Sequence, residues 1–135
     1  MARIHIYSLA WLSILLLALV LRFAVLPPGS SGRAALPFLY MASTWIPVIV
    51  FNIREGKELM GYLASHHREK WEWLTTVPGL GPGNVNSFRS LPWLFSSDDL
   101  NDPTIAALKI ANRRFIILAL VIFFSYILVL PVLGS

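Results

Sequence analysis

The sequence predicts an all-α integral membrane fold with three transmembrane helices and a small cytoplasmic helical segment between the second and third. Three observations predict it. Residues 115–133, FIILALVIFFSYILVLPVL, run for nineteen positions without a charge, directly after Arg113 and Arg114. A helix needs ~20 apolar residues to cross the core of a bilayer. Two similar stretches lie near the N-terminus, and most of the polar residues are confined between the second stretch and the third.

Composition agrees. The chain has 135 residues, of which 56% are hydrophobic and 13% charged, whereas an ordinary soluble domain carries roughly 25% charge. That leaves too little polar surface to wrap a globule in water. The formal charge of +4 is the kind expected of a protein whose Lys and Arg meet anionic lipid at span ends. No reading helix or basic stripe with interleaved aromatics points to nucleic acid. With no cysteine, disulfides, thiolate metal sites and a cysteine nucleophile are excluded.

Residues 1–33 form the first segment. Arg3 opens it, a charge-free run covers residues 6–21, and Arg22 interrupts before Phe23 to Leu26. An uncleaved span over about residues 4–26 follows, with Arg22 lifting its guanidinium toward the headgroups along its own stem. Pro27-Pro28-Gly29-Ser30-Ser31-Gly32 is a turn.

Residues 34–53 are the second span. Pro37 suits a first helical turn, whereas Pro47 is interior and kinks the span. The short connection makes these two spans an antiparallel hairpin.

Residues 54–102 are the polar segment. Over 56–76, Leu59, Leu63, His67, Trp71 and Leu74 recur at helical spacing, joined by Met60, which predicts one amphipathic helix. The run VPGLGPGN at 77–84 breaks it. It lacks the Gly-Lys-Ser/Thr of a phosphate loop and the strand and helix of a dinucleotide fold. SFRSLPWLF at 87–95 is a short apolar piece tucked against the bilayer.

Residues 103–135 are the third segment. Asp102 is an N-cap and Pro103 the first helical residue. No breaker follows until Pro131. At ~1.5 Å per residue this helix is about 42 Å long, more than the ~30 Å core. Its first turns therefore stand at the headgroups. Lys109, Arg113 and Arg114 are expected at the phosphate level, and Trp71, Trp73 and Trp93 in the headgroup layer.

Lys and Arg decide orientation. Eight of them lie between Arg54 and Arg114, against Arg22 and Arg33 at the opposite side. The central segment and the N-terminus are expected in the cytoplasm, with the C-terminus across the membrane.

Chemistry is sparse. His66-His67 point about 100° apart on a helix, and His66 with Glu69 makes at most half a metal site. Asp98, Asp99 and Asp102 lack the pattern of a calcium loop. No serine has an acid–base neighbourhood, and no charge lies mid-span for a proton relay. No enzyme, cofactor or metal site is expected.

The stretch from His66 to Phe124 resembles the universal stress protein B family of small bacterial inner-membrane proteins. The likeness lies in the order HHREKWEWL, PGLGPGN, LPWLF, DDLNDP and then RRF entering the last span. More weakly, it extends over about residues 34–130. The span over 4–26 is extra to that two-span pattern. The resemblance implies a bacterial inner-membrane location and a part in stress tolerance, with no catalytic residues to carry over; with the orientation above, the C-terminus is expected to be periplasmic. The expected function is that of a non-catalytic accessory or scaffold subunit of a larger inner-membrane complex, in contact with anionic lipid and other membrane subunits. Alternatives are a stress-tolerance protein acting on the bilayer and a pore or transporter subunit.

Overall fold

The structure is a computed structural model that describes residues 2–135. Met1, the first residue of the expected segment 1–33, lies outside the described residues. Among them the fold is all-helical: α1 (Ala2–Val20), running directly into a π-helical turn Leu21–Val25, then α2 (Ser31–His66), α3 (Arg68–Thr75), α4 (Ser87–Leu94) and α5 (Pro103–Gly134). Among the described residues three helices are long and apolar enough to cross a membrane: Arg3–Val25, Ser31–His66 and Pro103–Gly134. The chain divides into two compact units, one of residues 1–51 with 115–135 and one of residues 52–114.

In the first unit, Ala18 of α1, Leu36 and Tyr40 of α2, and Ile122, Tyr126 and Leu133 of α5 are buried together. Two hydroxyl contacts pin this core. Trp11 Nε1 donates to the Tyr40 hydroxyl at 3.0 Å, and the Thr44 and Tyr126 hydroxyls meet at 2.6 Å. Thr44 Oγ1 also donates to the Tyr40 carbonyl at 2.8 Å, so Tyr126 supplies the proton between them. The outward faces are greasy: Leu9, Leu16, Phe38, Ile46, Ile127 and Leu128 are all exposed.

The connection from α1 to α2 is built from local rules. Leu26 N–H reaches back to the Leu21 carbonyl at 2.8 Å, an i to i+5 bond that widens the last turn. Pro27 and Pro28 cannot continue the helix. Gly29, at φ +77, takes the left-handed position of a Pro-Gly turn closed by Ser30 N–H on the Pro27 carbonyl at 3.2 Å. Ser30 Oγ then accepts the Arg33 amide at 3.2 Å and caps α2.

Arg22 differs from its sequence expectation. It is buried, and its guanidinium lies on the end of α5, with Nε donating to the Val132 carbonyl at 3.1 Å and Nη2 to Ser135. The last carbonyls of a helix lack partners and carry partial negative charge, so a cation there is favoured over one extended to the surface. Arg22 Nη1 and Arg33 Nε are buried donors without a partner.

In the second unit, Leu59, Leu63, Leu74, Trp93, Leu94 and Ile105 are buried. Two boundaries differ from the sequence expectation. α2 does not stop at residue 53: it runs on through Gly56, and Arg54 and Glu58 face each other one turn apart at 3.9 Å. The helix expected over 56–76 is divided at His67, whose backbone leaves helical angles at φ −136, ψ 59.

Leu63→Ala, at a fully buried position, is expected to lower the stability of the purified chain by ~2–5 kcal/mol. Val85→Ala, at an exposed position, is expected to stay within ~0.5 kcal/mol. Chemical denaturation in mild detergent measures both.

Candidate functional site

The charged and aromatic residues singled out in the sequence fall almost entirely in the second unit. α4 ends at Leu94 with Phe95 in a right-handed conformation and no glycine to close it. The Leu91 and Trp93 carbonyls accept the Phe95 and Ser96 amides at 3.2 and 3.0 Å, whereas the Leu94 carbonyl and those of Ser96 and Asp98 in the loop take donors from elsewhere. Two cations one turn apart on α5 supply them. Arg113 donates through Nε to the Leu94 carbonyl and through Nη2 to the Ser96 carbonyl. Lys109 Nζ donates to the Ser96 carbonyl at 3.0 Å and to the Asp98 carbonyl.

Lys109 is 1% exposed. Its ammonium lies 4.4 Å from the centre of the Trp93 ring, a favourable place for a desolvated cation. Trp93 is itself buried and donates Nε1–H to Asp98 Oδ2 at 3.2 Å. Lys70 Nζ approaches the same carboxylate oxygen at 3.4 Å. The Leu100 amide first, then Lys70 and Trp93, hold the Asp98 carboxyl below its ordinary range. Lys109 and Arg113, expected at lipid phosphate, are thus turned onto the main-chain carbonyls of Leu94, Ser96 and Asp98.

The remaining three residues of that expectation are elsewhere. Arg114 is exposed. Trp73 is 48% exposed and lies between two cations, Lys70 at 4.6 Å and Arg89 at 5.2 Å. Arg89 also donates Nη1–H to the Trp73 carbonyl at 2.9 Å. Trp71 carries the Arg68 guanidinium at 4.6 Å over its ring. The structure therefore brings Lys109, Arg113 and Trp93 together, and leaves Arg114 and Trp73 outward.

A second cluster escaped sequence reasoning. Asp102 Oδ2 accepts from the Tyr62 hydroxyl at 2.8 Å and pairs with His67 Nε2 at 2.8 Å. Its other oxygen accepts the Thr104 amide at 2.9 Å, which caps α5. One carboxylate thus ties the α2–α3 break to the first turn of α5. His66 stacks on Tyr62 at 4.1 Å. The His67 contact first, then Tyr62 and the amides of Thr104 and Ile105, lower the Asp102 carboxyl to about 2. Only the capping signal Asp102-Pro103 was legible; no spacing rule joins Tyr62 or His67 to a residue 35 to 40 positions away.

Thr75 was missed too. It is buried, and its Oγ accepts the Gly83 amide at 3.1 Å while its carbonyl accepts the Asn84 amide at 2.9 Å. These bonds hold the Gly/Pro turn, in which Gly79, Gly81 and Gly83 all have positive φ. No group of three metal-ligating side chains occurs among the described residues. What this arrangement does chemically is hold a loop and two helix ends in one conformation.

Lys109→Met keeps an apolar stem of similar length but removes the donors. It is expected to destabilise the chain by ~1–3 kcal/mol and to shift Trp fluorescence, whereas exposed Lys57→Met stays within ~0.5 kcal/mol. The Asp102 carboxyl is depressed, so its contribution is full above its unfolded value of ~3.9. It is lost as pH falls from there through about 2. Near-UV circular dichroism in detergent should show an unfolding component in that window that Asp102→Asn lacks. No family model, curated protein or solved structure matches this chain.

Proposed function

We propose that this chain is a non-catalytic, multi-pass protein of a bacterial inner membrane that acts as an accessory or scaffold subunit of a larger complex. The observation that carries this reading is the outer face of α4. Phe88, Leu91 and Phe95 follow one another at i, i+3 and i+7, and they are 95%, 45% and 50% exposed. An apolar stripe at that spacing is the form in which a helix presents itself to a partner's groove. It is displayed by a unit in which Arg113 bonds the end of α4, Lys109 the loop after it and Asp102 the start of α5. The groups best suited to acid–base work, His67 and Asp102, are engaged with each other.

The three apolar helices and their exposed Leu, Ile and Phe side chains, which lipid solvates and water does not, support membrane insertion. The Lys and Arg excess at 54–114 supports a cytoplasmic polar segment, with a cytoplasmic N-terminus and a periplasmic C-terminus. Arg114 and the Lys70–Trp73–Arg89 group are the outward residues suited to anionic headgroups. That outward group favours a second reading, action on the bilayer itself under stress.

Since the chain has no cysteine, Asn84→Cys and Ser135→Cys report topology directly. In intact cells an impermeant maleimide is expected to label position 135 and to spare position 84, and the reverse pattern would overturn the orientation. Affinity purification in mild detergent is expected to recover other membrane proteins with the wild type, and several-fold less with Phe88→Glu/Leu91→Glu. Recovery of a free monomer in every detergent would refute the subunit reading. An unchanged stress phenotype after deletion would remove the second.

A further inference from the structure

Within the first unit a cavity of about 130 Å³ lies among α1, α2 and α5. Its origin is legible. Ala10 on α1 and Ala119 on α5 contribute only methyl groups to its wall, and Pro47 contributes a ring in place of a long side chain. Toward one end Tyr7 packs on Phe51 at 4.8 Å and edge-on to Phe115 at 5.4 Å. Toward the other lies the Thr44–Tyr126 pair.

The wall is almost wholly apolar. Of its hydroxyls, Ser43 donates to the Tyr40 carbonyl at 3.1 Å, and the Thr44 proton goes to the same carbonyl at 2.8 Å. A water needs two to four polar partners, and an apolar cavity of ~150 Å³ stays dry and admits a guest of six carbons. The cavity also has a mouth. Ala10, Ser43 and Pro47 are exposed, whereas Thr44, Phe115 and Ile122 are buried. The opening therefore lies between α1 and α2, on the flank of the helices rather than at their ends.

We propose that this cavity binds an alkyl segment of a membrane lipid, an acyl tail entering sideways between α1 and α2 at the Pro47 position. The inference rests on the membrane reading above. A flank opening faces acyl chains if the helices span a bilayer. The apolar wall, whose Ser43 and Thr44 protons go to the Tyr40 carbonyl, selects methylenes over a polar guest, and the volume takes about six of them. Filling the space restores dispersion contacts that an empty cavity forgoes.

The test uses the full chain in nanodiscs containing a phospholipid with a diazirine at mid-chain, irradiated and mapped by mass spectrometry. Carbene insertion is expected at the wall residues Phe115 and Ile122 as well as at the outward residues Leu12, Phe124 and Leu128. Ala119→Phe fills the cavity and should lower wall labelling at least five-fold while outward labelling stays. Ala10→Leu does the same from the opposite wall and stands in should Ala119→Phe lose its helical circular dichroism. Wall residues at background in the wild type, or labelling unchanged in a folded filled variant, overturn the proposal while outward labelling still upholds membrane insertion. Absence of label at the outward residues overturns the membrane reading, and the lipid site with it.

Discussion

Every backbone N–H and C=O removed from water needs a partner, and much of this structure is a set of answers to that demand at helix ends. Ser30 caps the start of α2 and Asp102 the start of α5. Arg22 serves the last carbonyls of α5, Arg113 the Leu94 carbonyl that ends α4, and Lys109 the carbonyls of Ser96 and Asp98 in the loop that follows. The π-helical turn at Leu21–Val25 is the same answer given by the backbone alone. A chain with so few charged residues commits several of them to this work.

The two units meet the constraint in different ways. In the first, three long helices pair their own backbone groups. Hydroxyls of Thr44, Tyr40 and Tyr126, with the indole of Trp11, are paired with one another in the interior. In the second, the elements are short and the connections rich in Gly and Pro. Side chains there bridge what helices cannot: Thr75 to the turn, Asp98 to Trp93 and Leu100, and Asp102 to Tyr62 and His67. Leu100 and Asn101, at φ 56 and 53, show how tightly the approach to α5 is drawn. Asx-type bonds from Asp98 and Asp99 to these two residues' amides hold it there. The result is a small polar unit cross-tied by its side chains and, in the first unit, a cavity beside Pro47.

Legibility tracked locality. The run over 115–133, the Pro27-Pro28-Gly29 turn, the Asp102-Pro103 start and the break over 77–84 each rest on rules that act within about four residues, and each is readable along the chain. The end of α2 was misplaced because the change at Arg54 is one of side-chain polarity and not of backbone, and the helix continues across it. The break at His67 was invisible for the opposite reason. The apolar spacing through Leu63, His67, Trp71 and Leu74 stays in phase across it, while the side chain that accompanies the break bonds to a residue 35 positions away.

By itself, then, the order of residues determined the helical class, the three apolar segments, the turns and the caps, since these follow from hydropathy, steric limits on Gly and Pro, and short-range hydrogen bonding. Only the tertiary structure decided where each charge points. Whether Arg22, Lys109 or Arg113 reaches outward or inward depends on which carbonyls lie unpaired within reach, and that is a property of distant segments brought together. The cavity beside Pro47 has the same status: two alanines and a proline on three helices make a void only when packing sets them face to face.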